Sequence, residues 1–468
     1  MNAKIHQFLK NRKNRIERRL DKKRLGNTSR PAFTATNIHY DVADRVHGIS
    51  HGGIGALHLL AQRIGLIEAI DQDLHLLLFH KPYHESDHVL NLAYNALCDG
   101  TCLQDLELRR QDEVYLDALG AQRIPDPTTA GDFCRRFTLG HILQMNQAFA
   151  EIEAQVYQRR KEITAWTIDA DAKVHEVFGA KKEGAEKSYN GIYSLQPIYA
   201  FVHETDEMLH SELRSGNTHP GAKAVAFLRR MRRKIPAGIR EIYLRSDSAF
   251  YNKDVVGFCE QERWHFSITA DQTGPLMRQV EDLPESAWKA DPGDAALGYA
   301  EVWYQPVNWP KAFRFLVRRE KKEKKAQGVL FAPLAYWYYV VVTNRAGEAQ
   351  TLMEAHDERG AMERRIGQFT NEFLSHLPLG GFMANWVYLL CAQLAYNLSY
   401  WLRDLVLPKF YRKKHIKRIR RCVGLVAAKV TQGGHQVRLK VSVLHRWWRD
   451  FVYAWKRVGS METAAQGG

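Results

Sequence analysis

Ala165-Trp166-Thr167-Ile168-Asp169-Ala170-Asp171 is the stretch that decides the fold. β-forming residues run directly into two acids, as at the end of a strand. Ile242-Tyr243-Leu244 does the same, ending through Arg245-Ser246 in Asp247. A carboxylate at the end of a buried strand is costly without a partner, and a metal ion is a common partner. A third acid follows in helical register. His356, Arg359 and Glu363 are spaced by three and then four, so they share one helix face. Met362, Ile366, Phe369 and Phe373 make the neighbouring apolar face. Two strand-end aspartates and a helix glutamate can together hold two divalent cations. Asp169 lies two residues before Asp171 and therefore on the same face of the strand. Acids after strands also serve as solvated turn residues or helix caps, so the surrounding residues have to decide.

The chain has 468 residues, too many for one core, and two to four domains are expected. Lys and Arg number 67 against 52 Asp and Glu, a net charge of +15, which favours a polyanionic partner, nucleic acid first. Six scattered cysteines are no disulfide framework and fit a reducing compartment; no pair of CxxC motifs suggests structural zinc. The N-terminus lacks the apolar core of a signal peptide. Residues 378–402 carry no charge before Leu402, but Asn385, Gln393, Asn397 and Ser399 and the lack of a second span make them a buried helix, with no membrane partner.

Four regions are expected. Residues 1–32 form a basic, flexible arm that cannot build a core, and that suits contact with DNA phosphates. Residues 33–160 read as a helical DNA-binding domain, with Asp126-Pro127 capping one of its helices. Such helices suit a structural domain equally. Residues 161–407 alternate strands and helices, an α/β layer with a mixed sheet, broken at about 273–335 by a β-rich insertion containing the charged loop Arg318–Lys325. Residues 408–468 are basic again. Lys409, Arg412, Lys413, Lys414, Lys417, Arg418, Arg420 and Arg421 are followed by a hairpin through Gly433-Gly434 and by Trp447, Trp448 and Trp455 among arginines.

Asp169-Ala170-Asp171, Arg245-Ser246-Asp247-Ser248-Ala249-Phe250, Arg359 with Glu363, and Ala395-Tyr396-Asn397-Leu398 resemble, in that order, the DDE transposases of bacterial insertion sequences, and most closely the thirteen-eighty insertion-sequence family. The resemblance spans roughly residues 45–430. It implies a ribonuclease-H-like catalytic core with a β-rich insertion, preceded by a helical N-terminal domain, and an enzyme that binds terminal inverted repeats, cleaves DNA ends and joins them to target DNA. Carried over by position, the catalytic residues are Asp171, Asp247, Glu363 and Arg359, and the metal ligands are Asp171, Asp247, Glu363 and Asp169. Asp171 is preferred to Asp169 as the first acid because the family follows that acid with a small residue, here Ala172. Lys173, His356 and Thr370 depart from the pattern, standing where the family often has threonine, tyrosine and lysine.

The chemistry so implied uses two Mg²⁺ ions, or Mn²⁺ in their place, roughly 3.5–4 Å apart. The implied partners are double-stranded DNA, both transposon ends and target, and a second copy of the chain in a synaptic complex. The expected location is cytoplasmic and nucleoid-associated. A stand-alone nuclease on the same core, or a DNA-binding protein derived from a transposase, are the alternatives.

Overall fold

Strand β1, Ala165–Ala172, is the axis of a nine-stranded sheet. On one side lie β2, Ile198–Val202, and β3, Met208–Glu212, each antiparallel to its neighbour. On the other lie β4, Glu241–Ser246, and β5, His265–Thr269, both parallel to β1. Beyond β5 the sheet continues. β6 (Leu297–Tyr304), β7 (Phe313–Lys321) and β8 (Tyr336–Thr343) are joined antiparallel, and β8 pairs with β5.

This computed structural model describes residues 48–80, 82–179, 181–188, 190–321, 336–433, 436–442 and 445–463, with residues 7, 10, 11 and 14. Apart from those four, the basic arm of residues 1–32 lies outside the described residues, as does the part of the charged loop beyond Lys321.

Alternation along β1 sorts its side chains between two layers. Trp166, Ile168 and Ala170 belong to one apolar cluster with Phe227, Leu228, Val255 and Cys259. Tyr199 and Phe201 of β2 enter a second cluster with Phe369 and Tyr396, the rings meeting edge-on at 5.6 and 5.7 Å. Asp169 and Asp171 alternate with the first set and so stand on the side opposite to it.

Seven described helices precede the sheet: α1 (Ile54–Arg63), α2 (Leu66–Asp73), α3 (Glu85–Leu97), α4 (Asp105–Arg110), α5 (Glu113–Leu119), α6 (Pro127–Arg135) and α7 (Leu139–Tyr157). Asp126 caps α6 as expected, its Oδ1 accepting from the Thr129 N–H at 2.9 Å with Pro127 in the first turn. These helices do not close a core by themselves. Their apolar faces merge with residues of 384–458 in a single cluster. Arg420 ties the two ends of that cluster, donating to the carbonyls of Ala96 and Leu97 at the end of α3 and to Glu372.

Within the core α8 (Ala224–Arg232) and α9 (Lys253–Gln261) connect the strands. The stretch read as a β-rich insertion opens instead with a helix, α10 (Gly274–Glu281), with Pro275 in its first turn. Its strands form no separate body: they extend the core sheet, because β5 would otherwise leave an unpaired edge. Then follow α11 (Ala349–Asp357), a tight turn over Glu358–Gly360, α12 (Ala361–Glu372) and α13 (Phe382–Trp401).

Helix α13 is buried almost throughout, and its polar residues are satisfied internally. Asn385 exchanges two hydrogen bonds with Leu379. Asn397 does the same with Met208 on the outermost strand, accepting its N–H at 3.0 Å and donating to its carbonyl at 2.9 Å. Among the described residues no helix is long and apolar enough to cross a membrane. After short helical turns and α14 (Ile416–Ile419) comes the expected hairpin, Ala428–Gly433 with Gln436–Val441, to which Gly48–Ile49 adds a third strand. The last described helix is α15 (Trp448–Gly459).

Candidate active site

Asp171 and Asp247 emerge at the same end of adjacent parallel strands, β1 and β4. Asp171 Oδ1 accepts from the Ala172 N–H at 2.7 Å, and Oδ2 stands 3.7 Å from Arg359 Nη1. Its pKa is pushed up to about 6, first by burial and then by the charge of Asp247, with a smaller push from Glu363; the Ala172 N–H and Arg359 act the other way. Asp247 caps the short turn Ser248–Phe250, accepting from the Ala249 N–H at 3.2 Å. Burial raises its pKa too, and Arg359 opposes the rise. Glu363 projects from the first turn of α12 and is exposed.

Asp171 therefore feels the charges of both other acids, and Arg359 acts on Asp171 and Asp247. The three acids are not closed into a coordination shell: among the described residues no three His, Cys, Asp or Glu side chains are gathered to hold a cation. The donor set still fits a hard divalent ion, with three carboxylates, all oxygen, and one positive charge among them. Beside Asp247 opens a cleft of about 620 Å³, walled by Ala172, Gln196, His219, Gly221, Asn252 and Asp271. Gly221 lets the wall approach, since a Cβ there would lie 1.8 Å from the Ala249 carbonyl oxygen.

Asp169 shares the strand face but is no free ligand. It is fully buried, Oδ1 accepts from Arg245 Nε at 2.7 Å, and Oδ2 accepts from Arg245 Nη2 at 3.0 Å and Arg365 Nη1 at 3.1 Å. Despite burial, hydrogen bonds from His203 and then Arg245, with the charges of Arg245 and Arg365, hold its carboxyl below the usual carboxylate range. His356 also leaves the group to which its spacing assigned it. The turn at Glu358–Gly360 separates α11 from α12, and the imidazole faces β5, bonded to Ser267 Oγ and Thr269 Oγ1 at 3.0 Å each.

Several side chains at the site are not singled out by sequence pattern alone. Asp271 follows β5 as Asp247 follows β4, the same strand-then-acid signal. Arg365 sits three residues after Met362 in the apolar stripe of α12, and a charge in such a stripe requires a buried partner. Lys173, which marks only a departure in the sequence, reaches the other departure, its Nζ donating to Thr370 Oγ1 at 3.3 Å. Burial lowers the pKa of that amine.

An α/β protein with acids at the ends of neighbouring parallel strands, and a third on a helix across the sheet, has the build of a phosphoryl-transferring nucleic-acid enzyme. The chain belongs to the transposase DDE domain family, group 1, whose model matches residues 44–463. A piggyBac transposase, solved as a synaptic complex with hairpin DNA, is similar at 11% identity over 80% of both chains, with a TM-score of 0.42, a likeness too loose to bear on the site. No curated protein matches the chain.

Proposed function

We propose that this transposase belongs to a bacterial insertion sequence resembling the thirteen-eighty family, binds that element's terminal inverted repeats, cuts the ends and joins them to target DNA. The core is read as ribonuclease-H-like, which the order β3-β2-β1-β4-β5 and its strand directions support. The observation that carries the reading is geometric: Asp171 and Asp247 leave the same end of adjacent parallel strands, with Arg359 Nη1 3.7 Å from Asp171 Oδ2. Two strand-end carboxyls so placed, with Arg359 beside Asp171, are suited to take up divalent cations.

Asp171, Asp247 and Glu363 would hold two Mg²⁺ ions. When bound, such ions supply an activated attacking oxygen and a stabilised leaving oxygen for phosphodiester cleavage, then for strand transfer. Arg359 would hold the phosphate between Asp171 and Asp247 and offset their repulsion. The buried strand ends keep the acids in place while DNA enters the open cleft. A homodimer bringing two ends together completes the reading.

The experiment is cleavage and strand transfer on labelled terminal-repeat DNA by Asp247→Asn, with Asp254→Asn as control. Asp254 lies in the first turn of α9, where Asn252 provides the cap, accepting from the Asp254 and Val255 N–H groups at 3.1 and 2.9 Å. Asp247→Asn should abolish both reactions with end binding intact, and Asp254→Asn should keep both. Joining by Asp247→Asn near the parent rate would end the assignment.

A further inference from the structure

Each of the three acids has, two residues away along the chain, one member of a second and buried cluster. Asp169 precedes Asp171 by two, Arg245 precedes Asp247 by two, and Arg365 follows Glu363 by two. All three are at most 3% exposed. Arg245 grips Asp169 through Nε and Nη2 at 2.7 and 3.0 Å, and Arg365 Nη1 reaches the same carboxylate at 3.1 Å.

We propose that Arg245, Asp169 and Arg365 are positioning residues, a buried Arg–Asp–Arg cluster that sets the separation of Asp171, Asp247 and Glu363. The inference rests on the reading of those acids as metal ligands. Alternation on β1 and β4 puts Asp169 and Arg245 on the faces of their neighbouring acids, one pleat further in. On α12 the same two-residue step turns through about 200°, so Arg365 points into the protein while Glu363 points out. Locking the inner cluster therefore fixes both where α12 stands and which way Glu363 faces.

The cluster is anchored on every side. Arg365 also binds Asp206 through Nε at 2.9 Å and the His203 carbonyl through Nη2 at 3.1 Å. Arg403 holds the other oxygen of Asp206 at 2.9 Å. Arg245 Nη1 donates to the Ala355 carbonyl near the end of α11 at 2.5 Å. Buried ion clusters add little net stability over apolar packing. Geometry is what this one supplies: two planar, forked donors hold one carboxylate in a single orientation.

Arg365 is the residue to change. Its loss leaves Asp169 with Arg245, and Asp206 with Arg403, so no buried carboxylate is stranded. The full-length protein would be made as Arg365→Gln, Arg365→Lys, Arg245→Lys and Asp247→Asn. Mn²⁺ binding without DNA would be measured by electron paramagnetic resonance, and amide exchange followed over α12 and α8. Arg365→Gln should bind Mn²⁺ about tenfold more weakly, as expected when an outer partner of a ligand is removed. Exchange should quicken in α12 and not in α8, and Arg365→Lys should fall between parent and Arg365→Gln.

Parent-like Mn²⁺ binding by folded Arg365→Gln would overturn the inference, as would faster exchange spread equally over α8 and α12. Should Arg365→Gln not fold, the two lysine variants decide, since each keeps the charge and loses the fork; parent-like Mn²⁺ binding by both refutes the cluster's role. Asp247→Asn separates the two layers of argument. Full Mn²⁺ binding and cleavage by Asp247→Asn defeats the reading of the acids, whereas loss there with parent-like Arg365 variants defeats only the positioning cluster.

Discussion

Arg359 Nη1 stands 3.7 Å from Asp171 Oδ2, so this guanidinium reaches from the turn between α11 and α12 to the acid of the central strand. It also opposes the rise in the Asp247 pKa. Paired with Asp171 and acting on Asp247, it is placed to meet a phosphate brought to the two acids. Arg359→Gln should slow single-turnover end cleavage on the order of a hundredfold, the usual cost of losing one preorganised donor to a developing charge. Gel-shift affinity for the ends should change only a few fold. Equal losses of binding and cleavage would instead make Arg359 a general DNA contact.

Lys173 and Thr370 belong together, Nζ to Oγ1 at 3.3 Å. Thr370 lies seven residues after Glu363, two turns along the same side of α12. Thr370 thus stands about 10 Å along the helix from Glu363, with the amine beside it. Lys173→Gln should weaken end binding and reduce the slope of log affinity against log salt by about one, the loss of a single phosphate contact. Thr370→Val should leave the slope unchanged, since the lysine, and not the hydroxyl, carries the charge. A parent-like slope in Lys173→Gln would confine Lys173 to holding α12.

Much of this site is legible in the amino-acid sequence. β-formers running into acid mark Asp171 and Asp247, because a parallel pair of strands brings its ends to one edge. Glu363 is marked only by its spacing from His356 and Arg359, which the turn at Glu358–Gly360 interrupts, whereas a charge-free run whose asparagines need partners marks α13. Strand alternation cannot rank Asp169 against Asp171, since it gives residues two apart the same face. Only the arginines from β4 and α12, far away in the chain, distinguish them. The fate of 273–335 is hidden for a similar reason. Sequence shows strands, but not which edge they will pair with, and here they join β5 through β8. For His356 an unbroken helical register misleads, because the turn at Glu358–Gly360 interrupts it.

The basic run after Pro408 divides into two kinds of residue. Arg412 and Lys413 are exposed, while Arg420 is buried against Ala96, Leu97, Asp99 and Glu372. Replacing Arg412, Lys413 and Lys414 together by glutamine should weaken binding to all DNA sequences alike and flatten the salt slope by about two to three. Arg420→Gln should act through the fold, removing donors to Ala96, Leu97, Asp99 and Glu372 and lowering the melting temperature, while Lys417 stays beside Glu372 at 3.4 Å. A salt slope untouched by the triple change would return Arg412 and Lys413 to solvent.

His356 makes the attachment of α11 to β5 sensitive to acid. Both ring nitrogens are occupied, by Ser267 Oγ and Thr269 Oγ1, and burial, helped by the charges of Arg359 and Arg245, lowers its pKa to about 3. The unfolded chain would take a proton on this ring near the ordinary value of 6.5. Below that pH the unfolded state binds the proton and the folded state does not, so stability falls as pH drops from 6.5 toward 3. Above 6.5 the ring is neutral in both states and contributes no slope. By about pH 4 the cost from this one group is on the order of 3 kcal/mol, at about 1.4 kcal/mol per pH unit. His356→Gln keeps hydrogen-bonding capacity toward both hydroxyls and cannot be protonated. Denaturant midpoints measured at about pH 7, 5.5 and 4 should therefore fall more steeply for the parent than for His356→Gln, with the two curves converging above about pH 6.5 apart from a constant offset. Parallel curves over that whole range would show that the imidazole is protonated without opening its contacts to β5.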